Sequence, residues 1–231
     1  MTATISDLRA LVGEGAYHQH LAEARTALTW AATTFGERFT VATSMGDTVL
    51  PHLVGTTIPD TDVFFIDTGY HFPETLGTRD AYAAMLPLRL RTVQPLLTVA
   101  DQDAEYGPGL HDRDPDLCCA LRKVEPLSRA LEGYHAWASG VRRSDTSLRR
   151  DVQVIDWDVK RDVVKVNPLA SWTDDDVARY VAENDVFDNP LTQVGYGSIG
   201  CAPCTRPLRA GEGPRAGRWA GRDKTECGLH I

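Results

Sequence analysis

No stretch of this 231-residue chain stays apolar long enough to span a bilayer, and none resembles a signal peptide. A cytoplasmic protein with no membrane partner is the expectation. Positive charge is also short. Against 32 Asp and Glu stand 24 Lys and Arg, a net charge of −8, which argues against a general nucleic-acid binder. Cysteine is scarce and odd in number, at five, so not every thiol can sit in an internal disulfide. In a reducing compartment a cysteine cluster is better read as a metal site. Internal repeats are missing, and no linker divides the chain. One domain is expected, with 42% hydrophobic content supporting a sizeable core.

The charge that is present is unevenly spread. Residues 201–231 carry Arg206, Arg209, Arg215, Arg218, Arg222 and Lys224 against Glu212, Asp223 and Glu226, so this segment is +3 and residues 1–200 are −11. A basic end on an acidic body points to a local anion site.

Hydrophobic spacing predicts alternating strands and helices. The first thirty-five residues are Ala-rich, with Leu21, Ala24, Leu28 and Ala31/Ala32 at helical spacing. Phe39–Thr43 reads as a strand that turns through Ser44–Thr48 into a helix. Val63–Ile66 is a buried strand running into Asp67–Tyr70, and Pro73 opens the next helix to about Met85. Leu88–Val93 and Tyr134–Ser139 are further strands, while Val152–Trp157 and Val163–Val166 form a hairpin or a strand with an edge. Asp114-Pro115 is an N-cap with proline at the first helical position, which places Cys118 and Cys119 on a helix that Pro126 should end while starting the next. Thr173-Asp-Asp-Asp176 caps a late helix, and beyond Gly195 loops are expected. This pattern predicts an α/β fold with a mostly parallel sheet flanked by helices.

Ligands of such sheets lie beyond the C-terminal strand ends. Three polar loops fall there: Ser44–Thr48, Asp67–Tyr70 and Gly140–Arg143. Each has a plain reading as a cap or turn, and Arg142, Arg143, Arg149 and Arg150 also fit a solvated face. Taken together they favour an anionic nucleotide. The thiols carry a stronger signal. Cys118 and Cys119 are adjacent, and neighbouring cysteines rarely bond each other because the ring strains the peptide between them. With the Cys-x-x-Cys of Cys201 and Cys204 they form four ligands for one centre. Zinc fits four thiolates, but adjacent ligands suit the separate irons of an iron–sulfur cluster better. Lys123, four residues past Cys119, adds a cation beside the sulfurs. Cys227 stands apart near Lys224 and His230 in a polar end segment, where an accessible thiol is a candidate nucleophile. Glu226 opposes the effect of those cations.

These residues resemble the iron–sulfur branch of the assimilatory adenylyl-sulfate (APS) and phosphoadenylyl-sulfate (PAPS) reductases. The resemblance rests on Cys118-Cys119 with Lys123, Gly200-Cys-Ala-Pro-Cys-Thr-Arg206, Arg215-Ala-Gly-Arg218-Trp219 and Lys224-Thr-Glu-Cys-Gly-Leu-His230. Asp67–Thr75 and Trp137–Arg143 also match, so it spans nearly the whole chain from Ser44 on. It implies an adenine nucleotide α-hydrolase-like (Rossmann-like) fold, comprising a single domain over residues 1–210 and a mobile tail over 211–231. It further implies a 4Fe–4S cluster on Cys118, Cys119, Cys201 and Cys204, and Cys227 as the catalytic nucleophile. Substrate contacts carried over are Ser44, Met45, Gly46, Thr68, Gly69, Lys123, Arg142, Arg143, Arg215, Arg218 and His230, with one more arginine at Arg149 or Arg150. The implied reaction reduces APS to sulfite and AMP through an S-sulfocysteine, with thioredoxin or glutaredoxin as reductant, for cysteine biosynthesis. The first loop is shorter here than in many members, and Tyr70 stands where many have Arg. Three alternatives remain open at this level: PAPS as substrate, an ATP pyrophosphatase of the same fold, and a metal-bound sensor. The pyrophosphatase would need a Ser-Gly-Gly-x-Asp-Ser loop, which is missing.

Overall fold

Burial of β-branched and aromatic residues at the centre of one sheet organises the chain. A computed structural model describes the backbone of residues 5–229 and the side chains from Gly15 onward. Strand β1 (Phe39–Thr43) lies between β2 (Thr61–Ile66) and β4 (Ala136–Ala138), with β3 (Leu88–Val93) beyond β2 and β6 (Val163–Val166) beyond β4. All of these pairings are parallel. The short strand β5 (Ile155–Asp158) closes the far edge antiparallel to β6. The central strands read as continuous apolar runs because both faces are covered: Val41, Phe64, Phe65, Ala136, Trp137 and Ala138 are fully buried. Edge strand β3 instead alternates Leu88 and Leu90 with the exposed Arg89 and Arg91.

Helix α1 (Ile5–Phe35) packs Ala24, Leu28 and Ala31 into the main core, with α2 (Val49–Thr57) beside it. Helix α3 (Pro73–Met85) completes the β2-to-β3 crossover, with proline in its first turn as expected. Two helices, α4 (Val99–Tyr106) and α5 (Leu110–Arg113), are additions to the elements read from the sequence. The first of them carries a reciprocal cap between Thr98 and Asp101. Helix α6 (Pro115–Cys119) starts where predicted, Asp114 accepting the Leu117 N–H at 2.9 Å. It ends at Cys119, ahead of Pro126, which lies in the first turn of the next helix as expected. A π turn over Ala120–Val124 leads directly into α7 (Glu125–Ala130), because a widened turn absorbs the missing proline N–H and its ring. Helix α8 (Asp174–Glu183) carries the predicted Thr173–Asp176 cap.

The strand order reverses between β1 and β4, and the crevice that results opens at the C-terminal ends of both. No helix among the described residues is long and apolar enough to cross a membrane. Because α6 is so short, its cap contributes a large share of its stability. Replacing Asp114 with Ala should cost about 1 kcal/mol, while Asp114→Asn should be close to neutral, both read by urea denaturation.

Candidate active site

A cleft of about 360 Å³ lies over the β1/β4 crevice, within the size range of small-ligand sites. Its floor comes from the strand-end loops, through Ser44, Gly46, Thr68 and Arg142, and its roof from the C-terminal segment, through Arg215, Arg218, Trp219 and Cys227. Lys123 and Arg149 line it as well.

The first loop caps its own helix. The Gly46 N–H donates to Ser44 Oγ at 3.3 Å, and the Val49 N–H donates to Asp47 Oδ1 at 2.9 Å. Some donors a phosphate would use are therefore already engaged within the turn. Burial raises the Asp47 carboxyl despite the opposing charge of Arg142. A Cβ at Gly46 would sit 2.8 Å from the Ile199 carbonyl, so glycine lets this loop touch the segment leading into Cys201.

Not every residue expected at the site faces the cleft. Met45 adopts φ +53° and buries its side chain fully in the core, its carbonyl held by Asn189 at 2.9 Å. Gly69 turns at φ +73° with its back against Arg122 and Val99. Arg143 swings away to donate to the Val152 carbonyl at 2.8 Å. His230 lies outside the described residues. Of the two candidate positions, Arg149 is buried in the cleft wall, whereas Arg150 is exposed beside Asp151.

Cys118, Cys119, Cys201 and Cys204 are all buried and line one small cavity with Tyr70, His111, Arg122 and Lys123. Burial pushes the Cys118 thiol up to about 12, with the neighbouring Cys119, Cys201 and Cys204 sulfurs adding to it. Burial also raises Cys119 and Cys204. Four crowded thiols cannot ionise together unaided, which is the electrostatic demand a bound cationic centre meets. The set therefore fits such a group in donor type, number and enclosure. Among the described residues, no three His, Cys, Asp or Glu side chains converge closely enough to hold a single metal ion. The sulfurs have polar neighbours: Thr68 Oγ1 lies 3.3 Å from Cys201 Sγ, and Arg222 Nη1 lies 3.7 Å from Cys204 Sγ.

Lys123 lines both cavities and links them. Burial works against its ammonium, but the sulfurs of Cys201, Cys227 and Cys119 outweigh it and hold the pKa above the ordinary lysine value. The half-buried Cys227 packs on the cysteine group from the cleft side. Its segment is tied down by alternate residues: Arg222 pairs with Asp112, Lys224 with Asp116 and Glu226 with Arg149. Burial alone would raise Glu226, but the hydrogen bond and charge of Arg149 prevail and lower it. Stability from this carboxylate is thus complete above its unfolded value of about 4.3 and is lost as pH falls through the lower folded value.

Residues 38–207 match the family model described as the phosphoadenosine phosphosulfate reductase domain. The chain belongs to that family. Among curated members of the reductase family, the adenosine 5′-phosphosulfate reductase of Streptomyces coelicolor is 56% identical over 98% of this chain and 96% of its own length. That of Mycolicibacterium smegmatis is 47% identical over 100% and 98%. The solved phosphoadenylyl-sulfate reductase of Candida auris, a phosphate complex, superposes with a TM-score of 0.70 at 28% identity, covering 89% of this chain and 99% of that one.

Some residues of this reductase-family site were not singled out from the sequence. Arg122 is buried, donates to the Thr68 carbonyl and to Gln102 at 3.0 Å, and stacks over Tyr70 at 5.3 Å. Its role is hidden because the π turn changes which face each residue presents. The family position occupied by Tyr70 thus gains a cation through space, beside the cysteine cavity. Arg218 lies flat against Gly200, where an added Cβ would fall 2.4 Å from the guanidinium carbon. Gly200→Ala should fold normally, since a flexible side-chain end yields, yet should lower nucleotide monophosphate affinity severalfold in calorimetric titration. Unchanged affinity would mean that the glycine does not position this arginine.

Proposed function

We propose that the protein is a thioredoxin-dependent adenylyl-sulfate reductase that forms sulfite and AMP with Cys227 as nucleophile. The observation carrying this reading is that Cys227 and the cations Lys123, Arg215 and Arg218 line one cleft, with the other four cysteines grouped in an adjoining cavity that shares Cys201 and Lys123 with it. A phosphosulfate repels an approaching thiolate, and fixed cations remove that barrier in the transition state. The relatives named adenosine 5′-phosphosulfate reductase favour APS over its 3′-phosphorylated form as substrate.

In the first step the Cys227 thiolate attacks the sulfur of APS. The bond from that sulfur to the phosphate oxygen breaks, AMP leaves with the electron pair, and Cys227 carries the sulfo group. A thiolate of a dithiol reductant then attacks Cys227 Sγ and expels sulfite. Its second thiol resolves the mixed disulfide, leaving Cys227 reduced and the reductant oxidised. Thioredoxin or glutaredoxin supplies this chemistry. Because Cys227 is only half-exposed when docked, the tail over residues 211–231 lifts from the body between the two steps.

Cys118, Cys119, Cys201 and Cys204 would hold a 4Fe–4S cluster. Directly adjacent ligands at Cys118 and Cys119 support a ligand at each iron over a single tetrahedral zinc. When bound, the cluster would supply positive charge that stabilises four thiolates. Lys123, reaching both cavities, would set its ammonium between the thiolates and the substrate side. A cytoplasmic location is supported by five unpaired cysteines.

Replacing Cys227 with Ser should abolish sulfite release, by a loss of at least about 10³-fold, while anaerobic purification recovers the same iron and acid-labile sulfide as the parent. Undiminished turnover would refute the nucleophile assignment, and a colourless zinc protein would refute the cofactor.

A further inference from the structure

The cations around the cleft differ in what already holds them. Arg149 donates from Nε and Nη2 to the two Glu226 oxygens at 2.8 and 2.6 Å, and from Nη1 to Asp145 at 2.7 Å. Its guanidinium is engaged on every edge. Arg215 and Arg218 make only long contacts: to Ser198 Oγ at 3.4 and 3.5 Å, to the Thr225 and Ile199 carbonyls at 3.4 Å each, and from Arg215 to Glu226 Oε2 at 4.0 Å, while the Arg218 Nε is buried with no hydrogen-bond partner. Burial and the charges of Arg149 and Arg218 depress Arg215, as expected where guanidiniums crowd without a sufficient counter-ion.

We infer that Arg149 is not a substrate ligand but the receptor of a latch, in which Glu226 docks the C-terminal segment and so positions Cys227. This deepens the proposed function and rests on its assignment of Cys227. The substrate anion is left to Arg215, Arg218 and Lys123. The three ties of the segment are unequal. Asp112 and Asp116, which pair with Arg222 and Lys224, are 61% and 85% exposed, so water and salt screen both pairs from the carboxylate side even though Lys224 is only 7% exposed. Arg149 and Glu226 are 9% and 3% exposed, and Thr146 Oγ1 adds a third bond to Glu226 at 3.0 Å. Removing either partner leaves an unpaired buried charge. Glu226 immediately precedes Cys227, so the latch fixes the backbone that presents the thiol. Arg149 also neutralises the carboxylate that would otherwise oppose the Cys227 thiolate.

The test measures docking directly and needs no turnover. Holoenzyme is treated with iodoacetamide, and modification of the peptide from Thr225 to Ile231 is followed by mass spectrometry, alongside calorimetric titration with AMP. Glu226→Gln and Arg149→Ala should each speed Cys227 alkylation by at least about tenfold and leave AMP affinity unchanged. The charge-swapped Arg149→Glu/Glu226→Arg pair should restore slow alkylation. With APS, Glu226→Gln should lower the rate of S-sulfocysteine formation without raising KM. Wild-type alkylation in Glu226→Gln overturns the latch, and that variant decides alone if Arg149→Ala fails to fold. Arg149→Ala with lost AMP affinity and unchanged alkylation makes Arg149 a substrate ligand and overturns the assignment. Loss of APS turnover in the parent protein would refute the functional reading while leaving the alkylation result intact.

Discussion

Positive charge packed against the sheet's C-terminal edge is the constraint from which the rest of the site follows. Lys123, Arg142, Arg149, Arg215 and Arg218 come from three separate regions of the chain and converge on one cleft. Such a group is unstable without counter-ions. Asp145 and Asp174 hold Arg142, and Asp145 and Glu226 hold Arg149. What remains underpaired is Arg215 with Arg218, next to the Cys227 thiol. A cleft that satisfies some cations internally and leaves others short is ready for an anion at a defined place.

The cysteines divide along the same line. Four are buried together, and burial raises Cys118, Cys119 and Cys204, a cost that a bound cationic centre would offset. The fifth reaches the cleft on a segment held by side-chain pairs rather than by a sheet or helix. A site using one thiol for chemistry and four for a centre needs this separation, because a reactive sulfur fixed as a ligand would be unavailable to attack. Lys123 connects the two, facing both cavities from a widened turn that a regular helix would not provide.

Much of the fold was legible because local signals were strong. β1 and β3 match their expected limits, since apolar runs there are bounded by turns, and the Asp114 cap placed the cysteine helix. The stretch from Val99 to Arg113 was missed although Thr98 and Asp101 form a readable cap, because weak apolar periodicity hides a short helix. The cysteine grouping and Lys123 were visible from spacing and resemblance. Consecutive arginines were less so: Arg142 faces the cleft and Arg143 the Val152 carbonyl, and only the tertiary fold distinguishes them. The partnership of Glu226 with Arg149 spans 77 positions and has no local signature, so a carboxylate that looked like an obstacle to Cys227 proves to be paired.

The most direct test mixes the reduced protein with APS in the absence of any reductant and examines the products by peptide mass spectrometry and nucleotide chromatography. The account predicts one sulfo group per chain, carried on Cys227, with AMP formed in equal amount. AMP release with an unmodified Cys227, or a sulfo group on Cys118, Cys119, Cys201 or Cys204 instead, would contradict it.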